Sequence, residues 1–205
     1  MPRINRIEES NYVETSHLFC KGPFDIFIEQ KIPIHLLILN REPREVATSM
    51  WRIRSIPGRV NRFRQSFLFH PEQAECLQLD SWERMQDYEL CYWYCLETER
   101  RKTAYVKICE AADINVTEFG LSTLLDREQF FSLCAGLGLK LVDSWEAQYA
   151  EITSRKVNSQ RTNRLIHNFK SKQFDYEAAE RNVWQHLGEA GRQLYGEVAR
   201  RYDWQ

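Results

Sequence analysis

A short apolar run that passes within a few residues into a proline-led helical pattern constrains this chain more than any other feature. Residues 33–52 read PIHLLILNREPREVATSMWR. The run 34–39 has the length and apolar continuity of a buried strand in a parallel sheet. From Pro43 the pattern is helical. Proline suits a first helical position, where its missing N–H is harmless, and Glu42 and Glu45 suit the positive end of the helix dipole. Arg41 then stands at the carboxyl end of the strand, where open α/β sheets place their ligands. Ser49 lies two turns into the helix, about 9 Å of rise beyond Pro43. A guanidinium leaving a strand tip and a hydroxyl on the following helix can converge on one phosphate.

An Arg followed eight positions later by a Ser, set in LLILNREPREVATSMW, resembles the 3′-phosphate-binding motif of sulfotransferases that use 3′-phosphoadenosine 5′-phosphosulfate (PAPS). The resemblance implies a P-loop-type fold: α/β, three-layer, with a mostly parallel sheet. It also implies Arg41 and Ser49 as binding residues for PAPS or adenosine 3′,5′-bisphosphate.

At 205 residues the chain fits a single domain able to bury a substantial core. Its 13% aromatic and 43% apolar content excludes a disordered chain. The net charge of −1 conceals segregation. Residues 41–64 hold seven arginines against two glutamates, and residues 155–172 hold six basic residues and no acid. Between them, residues 72–99 carry eight acids against Arg84. Two separated basic segments suit a small polyanionic ligand, although solvated faces produce the same pattern.

Six cysteines, at 20, 76, 91, 95, 109 and 134, form no CxxC pair and have no histidines at metal-finger spacing. They read as reduced, mostly buried thiols, with no metal site. The opening MPRINR is followed by acids rather than an apolar segment, so no secretory signal is expected. No run approaches the roughly 18 apolar residues that span a bilayer. A soluble, cytoplasmic protein without membrane association is the expectation.

Taken in order, residues 12–19 are β-branched and aromatic enough for a strand, and residues 24–30 read as a short helix leading to the strand at 34. Strand, helix and strand make a crossover unit, so the two strands are expected to be parallel. His17 follows Ser16 and precedes Arg41 by 24 residues. The pair resembles the Thr-His pair of cytosolic-type sulfotransferases, whose His takes the proton from the acceptor hydroxyl. That implies His17 as the catalytic base, a role that suits an imidazole titrating near neutral pH. The lysine that often precedes the pair is absent, with Glu14 and Thr15 in its place.

Residues 55–71 read as a turn-rich basic loop facing substrate. Arginines interleave there with Trp51, Phe63 and Phe67, but no RNA-binding signature accompanies them and the remaining chain is acidic, so nucleic acid is not expected. Asp80-Ser81 can start a long aromatic helix to about residue 105, with apolar positions 82, 85, 88, 92, 95 and 96 on one face. Glu97, Glu99, Arg100 and Arg101 are expected to mark its exposed end. A strand at 114–119 and a helix at 127–137 closed by Gly138 follow. The block INVTEFGLSTLLDREQFFSLCAGLGL resembles the family's later strand, Leu-containing turn and helix. Residues 140–154 link to the basic stretch 154–159, whose position resembles the loop that closes over the cofactor's 3′-phosphate and implies Arg155 and Lys156 as further contacts. From Tyr176, apolar positions stepping by three and four predict one amphipathic helix to the C-terminus, weakened by Gly188, Gly191 and Gly196.

The domain organisation is thus a single sulfotransferase-like domain: an α/β core at 12–139, a basic loop region at 140–173 and a C-terminal helix at 174–205. No GxxxxGK[ST] or Lys-Ser-Gly-Thr sequence occurs. The family's 5′-phosphosulfate loop is therefore missing, along with the strand and helix that flank it, a unit of roughly 30 residues. An edge left open this way favours a second copy or a complementing chain. Three functions are compatible with this pattern. One is transfer of a sulfuryl group from PAPS to a small-molecule or glycan hydroxyl, one is binding of adenosine 3′,5′-bisphosphate without catalysis, and one is protein interaction through the basic surface or terminal helix.

Overall fold

The computed structural model describes residues 13, 19–59, 67–154 and 174–204. Two compact units divide the chain, Met1–Ile34 and His35–Gln205. In the first, α1 (Pro23–Glu29) forms where a short helix is expected, with Pro23 in its first turn and Asp25 beside the positive end of its dipole. Phe19 meets Phe24 and Phe27 edge-on, at centroid distances of 6.0 and 5.7 Å. The strand expected at 12–19 lies outside the described residues except at Val13 and Phe19. Phe19 opens a 3-10 turn, Phe19–Lys21, rather than closing a strand, because the chain is already turning into Gly22-Pro23.

The second unit begins with β1 (Leu36–Asn40), which runs parallel to β2 (Val116–Gly120) in a register from Leu36 opposite Val116 to Asn40 opposite Gly120. The anticipated sheet was larger. Among the described residues it has these two strands, and the remainder is mostly helical. Leu36 and Ile38 are buried, while Leu37 and Leu39 on the opposite face are each 38% exposed. After β1 comes α2 (Pro43–Arg52), as the proline and acid signals predict. The Glu42 carboxylate caps it by accepting from the backbone N–H groups of Arg44 and Glu45.

The core is built on α3 (Asp87–Ala111), 25 residues long. It starts later and ends later than its sequence suggests. Trp82–Arg84 form a separate 3-10 turn, and the helix is capped by Gln86, whose side chain and backbone exchange bonds with Glu89 in a capping box. A one-sided apolar stripe does not describe it. Residues 88–93, 95–97 and 99 are all buried, so its first half is enclosed on every side. α2 packs on it, and so do α7 (Tyr176–His186) and α8 (Gly188–Arg201). The segment carrying Leu77 crosses it. Trp93 Nε1 donates to the Leu77 carbonyl at 2.9 Å, and the Leu77 N–H donates to Glu97 at 2.9 Å, so a strandless segment keeps its buried backbone groups bonded.

Glu97 and Glu99 correct the expectation of an exposed helix end. They are 0% and 3% exposed and lie in the middle of α3. Glu97 accepts from Arg100 and Arg101 one turn on, and Glu99 from Lys102, Arg201 and Tyr202. Buried carboxylates persist where paired in this way.

The single terminal helix predicted from residue 176 is two helices. Gly188 adopts φ +59, a left-handed conformation a side chain would disfavour, and the helix is divided there. Residues 140–154 are not merely a link: α6 (Trp145–Ser154) forms there, after α4 (Leu121–Leu125) and α5 (Arg127–Gly136). Phe130 stacks on Tyr149 at 5.0 Å and Phe131 on Trp145 at 5.6 Å. None of the six cysteines is in a disulfide; five are buried and Cys20 is half-buried.

Candidate functional site

The carboxyl ends of β1 and β2 stop at Asn40 and Gly120, directly opposite one another in the register. Helices leave both tips, α2 after Arg41-Glu42 and α4 immediately after Gly120. Diverging helices at adjacent parallel strand tips leave a crevice between them. Here it is a cleft of about 520 Å³, lined by Asn40, Arg41, Glu42, Glu45, Glu118, Ser122, Arg201 and Tyr202 among others.

Arg41 is exposed and lines this cleft, with no ion pair to any described residue. Ser49 is also exposed. It sits one turn beyond Glu45 on the same face of α2 and does not line the cleft. Motif and fold therefore put Arg41 at the strand tip and Ser49 farther up the helix. His17, Arg155 and Lys156 lie outside the described residues.

A polar network floors the cleft. Asn40 at the tip of β1 donates from Nδ2 to Glu118 on β2 at 2.9 Å. Its Oδ1 faces Lys102 Nζ at 3.4 Å. Lys102 binds Glu99 at 2.7 Å, and Arg201 Nη1 binds the other Glu99 oxygen at 2.6 Å. The Tyr202 hydroxyl donates to Glu99 at 3.0 Å. Burial first, then the Glu99 carboxylate, pushes the Tyr202 phenol well above its ordinary range, with the Arg41 backbone N–H pulling the other way. Burial also raises the Glu42 carboxyl, against the lowering effect of the two backbone N–H groups it caps.

The sequence does not disclose the C-terminal contribution. Arg201 and Tyr202 reach the strand tips from the end of α8, and a periodicity argument sees them only as the last turn of a helix. The sole signal available is that two polar side chains end an otherwise amphipathic helix. The cleft lining carries three carboxylates, Glu42, Glu45 and Glu118, against two guanidinium groups, Arg41 and Arg201. Among the described residues no cluster of His, Cys, Asp or Glu is arranged to hold a metal ion, and no helix is long and apolar enough to cross a membrane. No family model matches this chain, and no curated protein or solved structure matches it either.

Proposed function

We propose that this chain is a sulfotransferase-like protein that binds the 3′-phosphate of PAPS or adenosine 3′,5′-bisphosphate at the strand-tip cleft, in the service of sulfuryl transfer to a hydroxyl acceptor. The observation that carries the reading is the position of Arg41. It follows the last residue of a parallel strand, precedes a capped helix, and points no ion pair at any described residue beside an open cleft. An exposed guanidinium in that position offers a planar fork of donors to a phosphate. The strand-Arg-x-Pro-helix order and the parallel partner β2 carrying the later family-like block support the same reading. The roles of His17 as base and of Arg155 and Lys156 as further phosphate contacts rest on the family resemblance alone, and Ser49, which does not line the cleft, is given no contact there. No GxxxxGK[ST] loop occurs in this sequence; in this reading another chain, an unorthodox local loop or residues outside this stretch hold the phosphosulfate end of the donor.

Calorimetry with adenosine 3′,5′-bisphosphate tests the reading. Binding is expected, and Arg41→Ala should weaken it about 10- to 100-fold, the value of hydrogen bonds to a charged group. Absence of binding, or binding indifferent to Arg41, removes the nucleotide and with it the sulfuryl chemistry. Labelled-sulfate transfer to a panel of alcohols then separates an enzyme from a binding protein.

A further inference from the structure

The strand-tip cleft has a second cation that the sequence motif does not include. Arg201, from the end of α8, lines the same cleft as Arg41. Its guanidinium is held from beneath, where Nη1 binds the buried Glu99 at 2.6 Å. Lys102 binds the same carboxylate at 2.7 Å. Two cations therefore share one anion, and the trio carries a surplus positive charge. Glu118 meets that surplus only loosely, with its carboxylate 3.8 Å from Arg201 Nε. No described residue accepts from Arg201 Nη2.

The rest of the lining makes that surplus matter. Arg41 alone would face Glu42, Glu45 and Glu118; with Arg201 the lining stands at two guanidinium groups against three carboxylates, which lessens the repulsion a phosphate meets. An arginine already anchored through one edge has lost its rotamer freedom before any ligand arrives, so its free edge binds at little further entropic cost.

We infer that Arg201 is a second phosphate-binding residue of this cleft, alongside Arg41 and pre-oriented by its bond to Glu99. The inference rests on the nucleotide reading above and adds to it a second guanidinium fork for the phosphate. The C-terminal helix thereby becomes part of the site.

The test is titration of the full chain with adenosine 3′,5′-bisphosphate over a range of salt concentrations. Arg201→Gln should weaken binding about tenfold and make its salt dependence shallower, since one cation has left the site. Arg201→Lys keeps the charge and the Glu99 pair, so it should fold as the parent does; loss of the fork should weaken binding about threefold. Unchanged affinity in both variants overturns the inference, as does a loss of affinity in Arg201→Gln with an unaltered salt slope, which is the mark of a structural role. If Arg201→Gln does not fold, the Lys variant decides: the threefold loss supports the inference and parental affinity overturns it. The outcomes separate from those of the parent reading. Failure of the unsubstituted chain to bind removes both, whereas Arg41-dependent binding that ignores Arg201 removes this one alone.

Discussion

The Arg44 guanidinium grips the Glu180 carboxylate through two parallel bonds, Nε to Oε1 at 2.8 Å and Nη2 to Oε2 at 2.7 Å, and Tyr88 donates its hydroxyl to the same Oε1 at 2.6 Å. Three helices, α2, α7 and α3, meet on that one carboxylate. The hydrogen bond to Glu180 raises the Arg44 pKa beyond its ordinary value, against the opposing effect of burial. Rings close over the junction: Trp51, Phe174 and Tyr176 all lie within 5.6 Å of Tyr88, centroid to centroid.

Glu180→Gln should therefore destabilise the second unit. Removing one partner of a fully buried pair costs about 3–5 kcal/mol. Arg44 is 46% exposed and can rehydrate, so about 2–3 kcal/mol is expected, with a melting temperature lower by about 4–12 °C. Tyr88→Phe alone should cost about 1 kcal/mol. Because both changes act on one network, the double variant should lose less than the sum of the two. Strict additivity in denaturant unfolding would show that the three side chains do not act as one clamp.

Glu97 offers a harsher test. Its side chain is 0% exposed and accepts from the Leu77 backbone N–H, Arg100 and Arg101. Glu97→Ala strands a buried N–H and takes from Arg100 and Arg101 the carboxylate they share, and a loss of about 3–5 kcal/mol is expected. Glu97→Gln keeps an acceptor for Leu77 and should lose less. Equal losses from the two would mean that charge, not the backbone bond, dominates the site.

Stability should decline in alkali through Cys76. Burial first, then the nearby Glu97 carboxylate, pushes its thiol up to about 11 from an ordinary value of 9.0. A group whose folded pKa is raised contributes stability that is complete below the unfolded value and is lost as pH climbs through the folded one. Unfolding free energy should fall between about pH 9 and 11, and Cys76→Ala should make that fall shallower, the remainder coming from Cys91, Cys95, Cys109 and Cys134, whose thiols burial also raises. In the same window iodoacetamide should alkylate Cys76 far more slowly in native than in unfolded protein, because the thiolate is the reactive form. Equal native and unfolded alkylation rates would contradict the burial.

Glu45 opposes an anion in the cleft without serving any hydrogen bond through its carboxylate among the described residues. Under the proposed nucleotide reading, Glu45→Gln should tighten bisphosphate binding about two- to fivefold at low salt, an effect that fades as salt rises. The helix should lose only a few tenths of a kcal/mol, since one favourable first-turn charge is removed. Calorimetry at two ionic strengths reads both the sign and the fading; weaker binding in this variant would count against an anionic ligand.

Much of the local structure is legible in the residues because its causes are local. The apolar run at 36–40 makes a strand, Pro43 with Glu42 starts a helix, Asp126 caps α5 by accepting from the Gln129 N–H, and Gly138, at φ +69, closes it. The two misread glutamates share one origin. Glu97 and Glu99 read as an exposed end because charge ordinarily means solvent. They are buried because partners distant in sequence, Leu77 twenty residues earlier and Arg201 about a hundred later, arrive to bond them. Composition cannot announce a partner. The division at Gly188 escaped because an apolar stripe with glycine breaks keeps its period even where the backbone turns.

The residues alone were enough to place the strand at 36–40, the helix from Pro43 and Arg41 between them, since side-chain periodicity and caps act over a few residues. Tertiary structure alone decided that β1 takes β2 as its parallel partner, that α3 is enclosed rather than one-sided, and that Arg201 and Tyr202 come to the same cleft as Arg41. Those outcomes depend on which surfaces and charges meet after the chain has folded back, and buried groups are stable only where every partner has arrived.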